Sequence, residues 1–219
     1  MLKYRCLVLD HDDTVVQTEK TIGFPYFRDY IQRIRPGCTL TFEEYVRDCN
    51  NMIFADMCVQ RWQMTQEEMQ EEYLGWKAYS RVNIPEVCPG IARVIRRQKE
   101  TGGILCVSSL STREIIERDF LHHFGMLPDA IYDYDLPPHQ RKPNPYALEQ
   151  IMEQFRLKPE EILMVDDMKL GCVMAQEAGV DTAFAAWSKQ DFPALCREME
   201  SLCSFTFRSA EDLERFLFE

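Results

Sequence analysis

Arg5-Cys6-Leu7-Val8-Leu9-Asp10-His11-Asp12-Asp13-Thr14 is the stretch that decides the fold. Within residues 5–9, Cys6–Leu9 form a continuous apolar run, not an alternating one. That pattern predicts a short strand covered on both faces, as in a parallel sheet between helices. The run ends abruptly in three acids, a histidine and a threonine. Working outward, the next run of this kind is Ile104–Val107, closed by Ser108 and Ser109. Further strands are expected at 130–132, 162–165 and 182–185, with a weak last one at 204–207.

Helical periodicity fills the intervals. Ala147, Leu148, Ile151, Met152 and Phe155 recur at three- and four-residue steps, as do Ile91, Val94 and Ile95. Helix starts are expected at the Ser/Thr-x-x-Glu boxes Thr41–Glu44, Thr65–Glu68 and Ser111–Glu114, and at Lys158-Pro159-Glu160-Glu161. Strands alternating with helices predict an α/β, Rossmann-like parallel sheet. Residues 17–87 break the rhythm. They hold no convincing strand and are rich in Met, Tyr, Phe and Glu, so they read as an all-helical insert between core segments 1–16 and 88–219. Within the insert, Glu67, Glu68, Glu71 and Glu72 read as a solvated face. Met52, Met57, Met64 and Met69, with Trp62, Tyr73, Trp76 and Tyr79, read as core packing.

Composition narrows the function. The chain has 219 residues, with 25 Lys+Arg against 36 Asp+Glu and a formal net charge of −11. So acidic a protein is repelled by nucleic acid and by anionic membrane surfaces. No apolar run approaches the length needed to span a bilayer. The nine cysteines show no CxxC spacing and several fall in apolar runs, which predicts buried reduced thiols and a cytoplasmic protein.

In an open parallel sheet the reactive crevice lies at the carboxyl ends of the strands. The polar residues that follow each apolar run are therefore the informative ones. They are Asp10, Asp12, Asp13 and Thr14, then Ser108 and Ser109, then Asp166 and Asp167. Lys142 precedes a helix in the context Lys-Pro-Asn-Pro. Several carboxylates brought to one sheet edge cannot all stay ionised without a cation. Oxygen donors without His or Cys select a hard ion such as Mg2+. An ion, an ammonium and a hydroxyl around one carboxylate form a recipe for phosphoryl transfer through aspartate.

At these residues the chain resembles the haloacid dehalogenase-like hydrolases. The DxDx[T/V] motif matches Asp10-His11-Asp12-Asp13-Thr14 after the first strand, and the strand ending in Ser matches Leu105–Ser108. The KPxP lysine matches Lys142, and the strand ending in two acids matches Val165-Asp166-Asp167, with Gly171 and Ala178-Gly179 downstream. The four motifs occur in order over residues 5–179. The resemblance implies Asp10 as nucleophile and metal ligand, and Asp12 as acid/base and, through its carbonyl, a metal ligand. It implies Ser108, Ser109 and Lys142 as phosphoryl binders, Ser109 through its amide. Asp167 is implied as a direct Mg2+ ligand, with Asp166 a second ligand or acting through water. The insert corresponds to the helical cap of the sub-class that includes phosphoglycolate phosphatases and beta-phosphoglucomutases. The substrate is then a small phosphorylated metabolite. The family usually has Gly where this chain has Asp13.

Three functions follow from these residues. A Mg2+-dependent phosphatase that hydrolyses a phosphate monoester through an aspartyl-phosphate is the leading expectation. A phosphomutase shares every catalytic residue and differs only in what reaches the intermediate. A receiver-like phospho-acceptor domain would use Asp12, Asp13, Asp56, Ser108 and Lys142. It requires Asp56 at a strand end and leaves Asp166 and Asp167 without a part. His11, inside the first motif, is expected to have a structural or access role, and Arg93, Arg96, Arg97 and Lys99 to form a solvated basic face.

Overall fold

The computed structural model describes residues 2–219; Met1, at which the expected core begins, lies outside the described residues. Among them, six strands form one sheet: β1 (Cys6–Leu9), β2 (Ile104–Ser108), β3 (Ala130–Tyr132), β4 (Ile162–Asp166), β5 (Asp181–Ala185) and β6 (Phe205–Phe207). Every pairing is parallel and the order is β3-β2-β1-β4-β5-β6. The helices are α1 (Phe24–Ile34), α2 (Phe42–Asn51), α3 (Phe54–Gln60), α4 (Gln66–Val82), α5 (Ile91–Glu100), α6 (Arg113–Phe124), α7 (Tyr146–Phe155), α8 (Lys169–Glu177), α9 (Pro193–Leu202) and α10 (Ala210–Phe218). The fold is α/β and Rossmann-like.

The continuous apolar runs are explained by two-sided burial. Leu7, Leu9, Leu105, Val107, Leu163 and Val165 point to one face, where they pack with Ile91, Val94 and Ile95 of α5, Ile116 and Phe120 of α6, and Leu213 and Leu217 of α10. Cys6, Val8, Cys106, Ile162 and Met164 point to the other, against Leu148 and Ile151 of α7 and Met174 and Ala175 of α8. Strand parity thus sorts one run into two hydrophobic layers. The expected solvated basic face of α5 is partly tied down: Arg93 and Arg97 pair with Glu214 of α10, and Lys99 pairs with Asp129.

The chain folds into two compact units, Met1–Val16 with Val87–Glu219, and Gln17–Glu86. The first contains the sheet. The chain leaves it at Val16 and re-enters at Val87, and these two residues are bridged as an antiparallel pair. The second unit is helical. The Thr41–Glu44 and Thr65–Glu68 boxes start α2 and α4, each Thr hydroxyl accepting from the Glu amide three residues on. The Ser111–Glu114 box does not form, because α6 starts one residue later, with Thr112 at its cap. Ser111 is held in the preceding loop by the Tyr134 amide, which donates to its carbonyl.

Inside the helical unit Phe27, Tyr45, Met57, Trp62 and Met64 are buried, whereas Met52, Met69, Tyr73 and Trp76 are only half-buried and Tyr79 is exposed. Glu72 departs from the expected solvated face. It turns inward, only 6% exposed. Burial pushes its carboxyl up to about 7. A raised acid stabilises nothing when ionised: the burial penalty is absent below the ordinary carboxylate range and complete once the pH passes the folded value. Replacing Glu72 with Gln is therefore expected to raise stability by about 2 kcal/mol at about pH 8, and by almost nothing at about pH 4. Thermal unfolding of the full chain at the two pH values checks this; an equal gain at both would contradict it.

Candidate active site

The sheet order places the site. From β1 the chain runs outward through β2 and β3, then returns to β4 on the other side of β1 and continues through β5 and β6. The carboxyl ends of β1 and β4 therefore flank a topological switch point, where an open parallel sheet leaves a crevice. Register does the rest. Leu9 pairs with both Val107 and Val165, so Asp10 lies level with Ser108 on one side and Asp166 on the other. The Asp10 amide donates to the Val165 carbonyl at 2.9 Å, extending the ladder one residue into the site.

Three carboxylates meet there. Oxygens of Asp10, Asp166 and Asp167 lie within 4.8 Å of one another, and all three residues are buried. Lys142, on the loop before α7, places its Nζ 2.7 Å from Asp10 Oδ1 and 2.5 Å from Asp166 Oδ2. Asp166 Oδ1 accepts from the Met168 amide at 2.8 Å. A Cβ on Gly171 would sit 1.9 Å from Asp166 Oδ2, so the helix that follows can pass this carboxylate only as glycine. Thr14 Oγ1 donates to Asp167 Oδ1 at 3.1 Å.

The electrostatics explain why these groups need one another. Burial raises the Asp10 carboxyl well above its usual range; Lys142 opposes this, and Asp166, Asp167 and Asp12 reinforce it. Burial likewise pushes Asp167 up to about 6, against Lys189 and helped by Asp166 and Asp13. Burial alone would lower the Lys142 ammonium, but Asp10 and Asp166 more than offset it, so it is raised and stays charged. The two ammoniums of Lys142 and Lys189 do not neutralise the four buried carboxylates of Asp10, Asp13, Asp166 and Asp167. The donor set is all oxygen, buried and convergent, which suits a hard divalent cation held by Asp10, Asp166 and Asp167.

The remaining expected residues fall as follows. Asp12 stands on the loop after β1 with its side chain 29% exposed, the accessible acid of the motif. Ser108 is buried at the end of β2, its Oγ 3.8 Å from Met174 Sδ. Ser109 corrects its expectation. Its amide, expected to be lent to a phosphoryl group, donates to the Tyr132 carbonyl at 2.9 Å, and its Oγ accepts from the Ser111 amide. The β2–β3 edge consumes that donor. Asp56 lies in the first turn of α3, not at a strand end, which removes the acceptor carboxylate that a receiver domain needs.

Two further residues belong here that sequence reasoning missed. Lys189 is fully buried, with its Nζ 2.8 Å from Asp13 Oδ2 and 2.8 Å from Asp167 Oδ2. It follows β5 by four residues, so the rule that flagged the ends of β1, β2 and β4 would have reached it one strand later. Asp119 is fully buried on α6, and its Oδ2 lies 3.4 Å from His11 Nε2, while His11 Nδ1 lies 3.5 Å from Asp12 Oδ1. Its signal was an acid on the same helix face as Ile115, Ile116 and Phe120. His11 is thus wedged between two acids, fully buried against Phe120.

Comparison with known proteins bears on this geometry. Residues 7–185 match the family model described as haloacid dehalogenase-like hydrolase. The pyrophosphatase PpaX of Bacillus cereus (strain G9842) is 28% identical over 123 residues, which span 56% of this chain and 56% of that protein. The match thus spans little more than half the length of that curated relative. Two solved structures share the fold across nearly the whole chain. A conserved haloacid dehalogenase-like protein from Agrobacterium tumefaciens has a TM-score of 0.80 at 16% identity, covering 97% of each chain. CbbY from Rhodobacter sphaeroides, in complex with phosphate, has a TM-score of 0.72 at 18% identity, covering 97% of this chain and 96% of that one.

Proposed function

The chain belongs to the haloacid dehalogenase-like hydrolase family, and from that premise we propose that it is a Mg2+-dependent phosphatase acting on a small phosphate monoester through an aspartyl-phosphate. The observation that carries this reading is the convergence of Asp10, Asp166 and Asp167 within 4.8 Å beside the buried ammonium of Lys142.

In this reading Asp10 attacks phosphorus. The Asp10–P bond forms as the bond from phosphorus to the ester oxygen breaks, and Asp12 gives the departing oxygen its proton. Asp12 then takes a proton from water, which attacks the same phosphorus and returns Asp10 as a free carboxylate. The partly exposed position of Asp12 suits this traffic of protons. Lys142 holds the phosphoryl oxygens and counters the charge of Asp10. Ser108, level with Asp10 on the next strand, is assigned to the same oxygens. Ser109 is left out, because its amide, the group expected to bind, donates to the Tyr132 carbonyl. Asp10, Asp166 and Asp167, with the carbonyl of Asp12, would hold the metal, which when bound supplies positive charge to the transferring phosphoryl group. The helical unit is assigned the part of a cap that selects the substrate.

The test is phosphate release from sugar phosphates, phosphoglycolate, nucleotides and, prompted by the PpaX relative, inorganic pyrophosphate. At least one of the phosphate monoesters should release phosphate with Mg2+. The rate should fall at least about a hundredfold in excess chelator and return when Mg2+ is restored. Release that ignores the chelator, formation of an isomer in place of free phosphate, or inertness toward the whole panel would each contradict the proposal.

A further inference from the structure

Asp13 places a buried carboxylate in the turn after β1, and the structure supplies a partner for its charge. Asp13 sits in the left-handed region, at φ 55°, a conformation that Asp adopts at modest cost. Its amide donates to the Val16 carbonyl, which fixes the turn, and its carboxylate is buried. The carboxylate meets Lys189 Nζ at 2.8 Å, and the same Nζ lies 2.8 Å from Asp167 Oδ2. Lys189 has no solvent exposure, and its backbone is pinned at both ends. Its amide donates to the Ala186 carbonyl, and its own carbonyl accepts from the Phe192 amide. The ammonium is therefore held in place by the chain that follows β5.

Each half of this pair would unbalance the charge of the metal site if present alone, the lysine against the cation and the aspartate in its favour. A buried lysine against Asp167 places a positive charge beside a carboxylate needed by a cation, and so repels that cation. A buried aspartate added to Asp10, Asp166 and Asp167 enlarges a cluster of like charges that already lies within 4.8 Å. Together the two sum to zero. They also add a mechanical constraint, because Lys189 anchors Asp167 Oδ2 while Thr14 anchors Asp167 Oδ1.

We infer that Asp13 and Lys189 form a charge-matched positioning pair that fixes Asp167 and sets the affinity of the carboxylate cluster for a divalent cation. Neither residue touches the reacting atoms; both act through Asp167. The inference rests on the metal-dependent reading above.

The test is Mg2+ binding by calorimetry, which needs no turnover, on the full-length wild type and on Asp13→Gly, Lys189→Met and the double variant. Glycine suits the left-handed turn, so Asp13→Gly removes charge without adding backbone strain. Asp13→Gly removes one of the two carboxylates that face Lys189, leaving its charge to bear on Asp167, and is expected to weaken Mg2+ binding at least about tenfold. Lys189→Met should shift affinity the other way. The double variant should return to within about threefold of wild type, because the two charges cancel. The Mg2+ concentration that half-activates phosphate release should move in parallel, with the KM for the phosphate ester unchanged. If Lys189→Met does not fold, the contrast between Asp13→Gly and the double variant decides the matter. Additive losses, or Asp13→Gly binding Mg2+ like wild type, would overturn the pair while leaving the metal site standing. A wild type that binds no Mg2+ would overturn both.

Discussion

Asp10→Asn is expected to lower phosphate release at least about a thousandfold and leave the fold in place. The amide nearly matches the carboxylate in size but has no lone pair of comparable nucleophilicity, so the covalent step loses its attacking atom. Stability should hold for an electrostatic reason. Burial and the neighbouring acids raise the Asp10 carboxyl well above its usual range, so folding gains nothing from its charge. Asp166 Oδ2, also within hydrogen-bond reach of Lys142 Nζ, is left by the substitution as its carboxylate partner. The backbone bond from Asp10 to Val165 is untouched by the change of side chain. Turnover and thermal unfolding, measured on the same preparation, check both halves. A variant within about tenfold of wild-type turnover would remove Asp10 as nucleophile.

The residues that were legible in the sequence share one physical feature: they end buried strands. Cys6–Leu9, Ile104–Val107 and Ile162–Val165 are continuous apolar runs because both faces of the sheet are covered, and the first polar residue after each run falls at the crevice. Asp10, Ser108 and Asp166 were found in this way, and the observed register puts them level. Lys142 is different. It lies on a loop with no periodicity, and only its Lys-Pro-Asn-Pro context marked it.

What stayed hidden depends on tertiary neighbours. Nothing local to Glu72 distinguishes it from Glu71, yet one is buried and the other exposed, because the stripe that α4 buries is set by the helices packed on it. The Ser109 amide is taken by Tyr132, a pairing decided by how far β2 and β3 run together. For Asp13 the sequence shows an added negative charge beside the motif acids but not what meets it. Its partner, Lys189, lies 176 residues away.

The central claim is that Asp10 carries the phosphoryl group between ester and water, and Asp12→Asn makes that state visible. Asp12 protonates the leaving oxygen and later activates water. With para-nitrophenyl phosphate the leaving group is stable as an anion and needs no proton, so the first transfer survives the substitution. The second does not, because the water has lost its base. The aspartyl-phosphate should then accumulate. Intact-protein mass spectrometry of Asp12→Asn, mixed with para-nitrophenyl phosphate and Mg2+, should show a gain of one phosphoryl group approaching one per chain. The adduct should be labile to hydroxylamine, map to Asp10 and be absent from the Asp10→Asn/Asp12→Asn double variant. A phosphoryl group on any other residue, or one that forms equally well without Asp10, would contradict the account.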